Sequence, residues 1–415
     1  MKMKKLLAAV LAAACFLGTA GCASQTIAAT DLTKNVKKTA QAPSLDEAAQ
    51  DRTIEDLTGF GVKLLQNEMG KTDPLISPLS IAAALSMTAN GAVGETKAQM
   101  EEVLGASADT LSSSFAALQS ALKNDKQLKL ANSIWLKDTP TLHVEDAFLQ
   151  KNADCFGAGI YAAPFDDSTK TAINDWVKEK TDGMIPEILD KISADSVMYL
   201  VNALAFDAKW EDIFETTQVR TGRFTSREGV EQTGDFLYGE TSQYLSGEHA
   251  EGFLKYYEGQ KYAFAALLPE EGMDITDFVS GLTGQALHAI LSSPQTETVE
   301  FSLPKFKTTF DTELSESLKA LGMTDAFDGE KADFSALGSS DEGNILISRV
   351  LHKTFIQVDE AGTKAGAATA VDMVTGSAAE YPHSVYLERP FVYMIVDMET
   401  KLPVFLGALT ELPEV

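Results

Sequence analysis

EAGTKAGAATAV, residues Glu360 to Val371, decides how this chain is read. It follows TFIQVDE (Thr354 to Glu360), whose β-branched and aromatic residues alternate with polar ones as in a strand. Beyond Glu360 come small residues that neither a core nor an ordinary turn calls for. Extended, they place Thr363, Ala365, Ala367, Thr369, Val371 and Met373 on one face and Lys364, Gly366, Ala368, Ala370, Asp372 and Val374 on the other. Both charges fall on one side, which is the pattern of a strand with a face to bury. Gly and Ala are poor strand formers and Gly is poor in helices, so the segment is suited to become a strand only when a sheet accepts it.

The rest of the chain can supply that sheet. Its 415 residues are 45% hydrophobic and 23% charged, a globular composition with material for a large core. Length alone allows two or three domains, or one large sheet-based domain. A formal charge of −26 argues against a nucleic-acid or anionic-membrane surface, which needs clustered Lys and Arg.

Residues 1–21 read as a targeting segment: a basic start from Met1 to Lys5, an apolar run from Leu6 to about Gly18, then small residues before a cysteine. Thr19-Ala20-Gly21-Cys22 resembles the lipobox of bacterial lipoproteins, with Thr19 where Leu is usual. The resemblance implies that Cys22 is lipidated and anchors an extracellular protein to the bacterial cell surface; ordinary secretion with Cys22 incidental is the alternative. Residues 22–50, rich in Ala, Thr, Ser, Gln and Lys without apolar period, are expected to form the lipidated cysteine and a flexible tether, with the folded domain spanning 51–415. Of three cysteines, Cys15 lies in the targeting segment and Cys22 would carry lipid, so Cys155 has no intramolecular partner.

Organisation from Asp51 onward is helices first, strands later. DRTIEDLTGFGVKLLQNEMG has a loose helical period ending at Gly70, and SPLSIAAALSMTANGA opens with Ser-Pro cap chemistry and is apolar on every face, predicting a buried helix. QLKLANSIWL alternates as a strand, TAINDWVKEKTDGMI is an amphipathic helix stopped near Gly183, and VMYLVNALAFDAKW suits a central strand. FLKYYE, YAFAALLP, TVEFSLPKF, SRVLHKTFIQVDE, FVYMIVDM and PVFLGALTE follow as strands, with one helix at TELSESLKALG. One α+β domain with large, mainly antiparallel sheets is the economical reading.

Enzymatic motifs are missing. None of the five histidines (His143, His249, His288, His352, His383) lies in HExxH or a Cys/His cluster, and there is no G-x-S-x-G elbow or P-loop. No metal or cofactor is expected, and a surface hydrolase is the weakest of the functional readings.

Taken together, SPLSI (Ser77 to Ile81), the INxWVxxxTxGxI pattern around Asn174, Trp176 and Gly183, VNALAFDAKW ending at Trp210, LPKF, LGM, ADFS and RPFVYMI stand in family order and spacing, and the chain from about Asp51 to Leu412 resembles a serpin. The resemblance implies the serpin fold, with an exposed reactive-centre loop from about Gly362 to Arg389. It makes Ser77, Ser80 and His352 a shutter beneath the main sheet and Trp210 the breach tryptophan. It implies a monomeric inhibitor of serine proteases that acts as a suicide substrate: after cleavage the loop inserts into the main sheet while the protease is still an acyl-enzyme. Glu360, Gly362, Thr363, Ala365, Ala367 and Thr369 would form the inserting hinge, with Thr363 expected near solvent before cleavage. Asp73, where many relatives carry Asn, suggests a different arrangement of the shutter hydrogen bonds.

For the scissile bond, counting forward from Glu360 by family loop length points to Gly376 and counting back from Pro390 points to Ala379, three residues apart. The candidates are therefore Thr375, Gly376, Ser377, Ala378 and Ala379. Small residues there suit an elastase-like or subtilisin-like target; the absence of Lys and Arg disfavours a trypsin-like one, and Tyr381 keeps a chymotrypsin-like one open. A non-inhibitory serpin serving as a binding or structural protein is the alternative.

Overall fold

The computed structural model describes residues 29–38, 46–122, 125–157, 159–363 and 381–413. Its main sheet runs β1 (Thr30–Asp31), β5 (Gly159–Ala163), β3 (Leu128–Lys137), β6 (Met198–Phe206), β16 (Arg349–Val358), β17 (Gly362–Thr363) and β7 (Ala208–Lys209), with β14 (Phe306–Glu313) on β16. A second sheet orders β10 (Tyr244–Gly247), β11 (Ala250–Tyr256), β12 (Tyr262–Pro269), β19 (Phe391–Asp397), β20 (Pro403–Leu409) and β2 (Leu75–Ile76). A third orders β18 (His383–Tyr386), β13 (Val299–Pro304), β9 (Glu231–Thr241) and β8 (Val219–Thr225), and β4 (His143–Val144) pairs β15 (Gly338–Ser339). The helices are α1 (Glu47–Glu68), α2 (Pro78–Ala89), α3 (Gly94–Leu104), α4 (Ala108–Leu122), α5 (Asp146–Cys155), α6 (Asp167–Lys180), α7 (Ile275–Gly281), α8 (Gly284–Ser292) and α9 (Ser315–Ala320). The expected α+β class holds.

Two features of the main sheet position the site. Every residue of β6 is buried, as its nearly continuous apolar run requires of a strand covered on both faces. Its neighbours differ in direction: β3 is antiparallel to it, whereas β16 is parallel. On one face the sheet rests on α2, whose twelve residues are all buried and whose start is capped by Ser77 Oγ accepting from Ser80 N. On the other face α6 sets Ile173, Trp176 and Val177 against Trp135, Tyr199, Val201 and Leu351. The loop after α6 is tied back by Asn174, whose Oδ1 accepts from Ile188 N and Leu189 N; this gives Asn174 its place in the sequence pattern.

The expected tether starts folding early. Thr30 pairs Ala162, Leu32 N donates to Ile160 O at 2.8 Å, and α1 begins at Glu47 rather than Asp51. The five-residue edge strand β5 leaves backbone groups open on one side, and a short segment with modest apolar content is enough to fill them. Among the described residues no helix is long and apolar enough to cross a membrane.

Candidate functional site

The opening segment begins at a tight corner. Asp359 Oδ1 accepts from Ala361 N at 2.9 Å and Gly362 N at 3.2 Å, while Asp359 N donates to Gly362 O, turning β16 into β17. Burial raises the Asp359 carboxyl above its usual range, against the two backbone N–H groups. Gly362 has φ +157°, and a Cβ there would lie 2.1 Å from Ala208 O, so the corner needs glycine. Trp210 clamps it from outside: its backbone N donates to Ala361 O at 3.0 Å and its Nε1 to Asp359 O at 2.8 Å. The indole stacks on Tyr257 with centroids 4.5 Å apart. Glu360 is held by Lys305 at 2.6 Å, and this contact lowers its carboxyl pKa.

Thr363 departs from expectation. It is fully buried, with Oγ1 2.6 Å from the Tyr257 hydroxyl, not near solvent. The hinge has therefore already entered the sheet by two residues: Thr363 lies opposite Val358 on one side and Ala208 on the other.

Lower down, between β6 and β16, lies the second cluster. His352 is opposite Asn202, and its Nδ1 meets Asn202 Oδ1 at 2.5 Å. Its Nε2 accepts from Ser77 N at 3.1 Å, which places the ring proton on Nδ1. Ser80 Oγ bonds the Asn132 amide at 3.1 Å. The Asn202 amide nitrogen is buried without a partner, an uncommon cost at the seam between two parallel strands. Asp73 lies apart from this cluster. Its Oδ1 accepts from Thr410 N at 2.6 Å and Thr410 Oγ1 at 2.8 Å, tying β2 to the end of β20.

Burial pushes the His352 pKa down to about 3. In the unfolded chain an imidazole titrates near 6.5, so between those values the unfolded state holds a proton that the native state does not. His352 therefore contributes stability that is full above about pH 6.5 and is lost as pH falls toward 3, about 4 to 5 kcal/mol over the window. Denaturant midpoints measured from pH 7 to pH 4 should fall more steeply for the parent than for His352→Gln. Equal slopes would contradict this assignment.

Sequence reading located Glu360, Gly362, Thr363, Ser77, Ser80, His352 and Trp210, and the structure groups them as a hinge corner and a seam cluster. It overlooked Asp359, Tyr257, Asn202 and Lys305. Asn202 carried a signal, being the one polar side chain within MYLVNALAF. Ala365, Ala367, Thr369, Thr375, Gly376, Ser377, Ala378, Ala379 and Cys22 lie outside the described residues.

The chain as a whole is similar to known proteins. The family model for "Serpin (serine protease inhibitor)" matches residues 55–412. The chain belongs to the serpin family. Among relatives, Iris of Ixodes ricinus is 32% identical over 81% of this chain and 91% of its own, and a serpin-like protein of Methanosarcina acetivorans is 31% identical over 85% of each. Native tengpin, a thermophilic serpin, superposes with a TM-score of 0.87 at 42% identity, covering 92% of this serpin and all of tengpin. Serpins are in general inhibitors of serine proteases, and the expected fold is thereby established for this one.

Proposed function

We propose that this serpin traps serine proteases by inserting its cleaved loop between β6 and β16. The observation that carries the reading is the register of Thr363. β16 and β6 pair with a constant offset, His352 opposite Asn202, and Val358 and Ala208, the two partners of Thr363, keep that same offset. A strand continuing from Thr363 antiparallel to both would set Ala365 between Ile356 and Phe206, Ala367 between Thr354 and Leu204, Thr369 between His352 and Asn202, and Val371 between Val350 and Leu200. All eight flanking residues are buried on the face toward α2. The opposite face suits the remaining small residues: Gly366 would fall beside the buried Ala205, and Ala368 and Ala370 beside Ala203 and Val201, which share a cluster with α6. Its charges would be matched, Lys364 beside Asp207 and Asp372 beside Arg349.

Insertion replaces one parallel pairing by two antiparallel ones and separates His352 from Asn202, offering the orphaned Asn202 amide a new partner. The gain is available only after cleavage frees the chain, and the acyl-linked protease is carried along. With small residues throughout Thr375 to Ala379, the target is elastase-like or subtilisin-like.

Incubation with elastase, subtilisin, chymotrypsin and trypsin should give an SDS-stable covalent complex with the first two. Mass analysis of the released C-terminal peptide would name the scissile bond. Clean cleavage without a complex in every case would instead make this a non-inhibitory serpin. The lipobox-like Thr19 to Cys22 supports anchoring at the bacterial cell surface. Cys22→Ala should release the protein from the membrane fraction, and unchanged association would remove the lipoprotein reading.

A further inference from the structure

Strand β11 carries a lysine where its surroundings call for an apolar residue. Lys255 lies opposite Phe264 and beside Trp210 and Phe214, and all three rings are buried. Its ammonium stands 4.6 Å from the centre of the Phe214 ring and 5.6 Å from that of Trp210. Among the described residues it makes no hydrogen bond and pairs with no carboxylate. Burial works against the charge, and the nearby carboxylates of Asp212 and Glu211 work in its favour. A lysine kept on an aromatic floor without an ion pair is costly unless the rings themselves receive it.

The two rings belong to the segment that holds the hinge. Phe214 N donates to Glu360 O at 2.9 Å, so with the two bonds from Trp210 the successive carbonyls of Asp359, Glu360 and Ala361 are all bound by residues 210–214. Just before this segment, Ala208 pairs with Thr363. The rings of Trp210 and Phe214 meet edge-on with centroids 6.2 Å apart. Between them the chain runs through Glu211, Asp212 and Ile213, all exposed, so no buried side chain in between fixes their spacing. The Trp210 end is fastened to β11 by Glu211 N, which donates to Tyr256 O at 3.0 Å. The Phe214 end is met from β11 by Lys255, in the shorter of its two ring contacts.

We propose that Lys255 is a positioning residue: its charge, shared between Trp210 and Phe214, keeps residues 210–214 in the spacing that binds the three hinge carbonyls, and so keeps Thr363 seated between β16 and β7. Its stem also covers the rings, but a methionine of similar length would do that equally. The charge is what sets the lysine apart. In the insertion reading above, on which this consequence rests, a freed loop pairs onward from a seated Thr363. With Thr363 unseated, the first pairing has to be made again while deacylation proceeds. Loss of the charge therefore turns part of each encounter from trapping to release.

Hydrogen exchange of the Trp210 and Phe214 amides in the uncleaved full chain tests the positioning. Lys255→Met should open both about five- to thirtyfold more often, the range for a cation on a largely desolvated aromatic face, while the amides of β20 keep the parent's protection. Lys255→Arg, which retains the charge, should stay within about twofold of the parent. Unchanged protection in Lys255→Met, equal loss in Lys255→Arg, or an equal acceleration throughout β20 overturns the proposal. With a protease that the parent traps, Lys255→Met should release a severalfold larger share than the parent or Lys255→Arg. Equal shares in all three would remove Lys255 from the trapping step. If the parent traps no protease while the exchange difference is present, Lys255 still positions the hinge and the inhibitory reading fails.

Discussion

An Ala367→Arg variant should be cleaved by its target protease at the same bond as the parent and should then release that protease active. In the proposed insertion, a strand continuing in the register of Thr363 would bring position 367 between Thr354 and Leu204, both fully buried, with Thr354 Oγ1 already committed to Leu75 O at 2.7 Å. No carboxylate stands there to receive a guanidinium, and burying an unpaired charge costs several kcal/mol or more. Insertion need not be abolished to lose inhibition, because it competes with deacylation. A delay of about 2 to 3 kcal/mol slows a step roughly 30- to 150-fold.

Position 367 is a better probe than 363. Thr363 is buried against Tyr257 in the uncleaved protein, so an arginine there would disturb the native hinge as well as the insertion. Lys364→Ala is the matched control. In the same proposed register that position would fall between Gln357 and the exposed Asp207, and loss of the lysine should leave the ratio of trapped to released protease nearly unchanged. Trapping by Ala367→Arg equal to that of the parent, or damage from Lys364→Ala instead, would mean that the two faces have been assigned the wrong way round.

Much of this was legible in the residues. SPLSI announced a capped, buried helix because Ser and Pro meet the demands of a first turn and the following residues leave no polar face. MYLVNALAF announced a strand covered on both sides. The alternation from Thr363 to Met373 proposed a face to bury, and Thr363, the one of these residues that is described, is buried. What sequence could not disclose was pairing at a distance. Tyr257 lies 106 positions from Thr363, and no periodicity links them, so the buried hinge was read as solvent-exposed. Ala29 to Lys38 looked like a tether because its few apolar residues carry no period, yet its backbone pairs with β5 while Ala29, Leu32 and Val36 pack against the core. β8 and β9 are largely polar along both faces and carry little alternation to detect.

Loop cleavage itself provides the most direct test of insertion. The intact protein and the protein cleaved once within Thr375 to Ala379 should be compared by calorimetry under identical conditions. Inserting about ten residues as a central strand gains hydrogen bonds worth roughly 1 kcal/mol each, on the order of 10 kcal/mol in all. At roughly 2 °C per kcal/mol this predicts a melting temperature about 20 °C higher for the cleaved form. If the two forms melt at the same temperature, the freed loop does not enter the seam between β6 and β16, and the proposed insertion mechanism is contradicted.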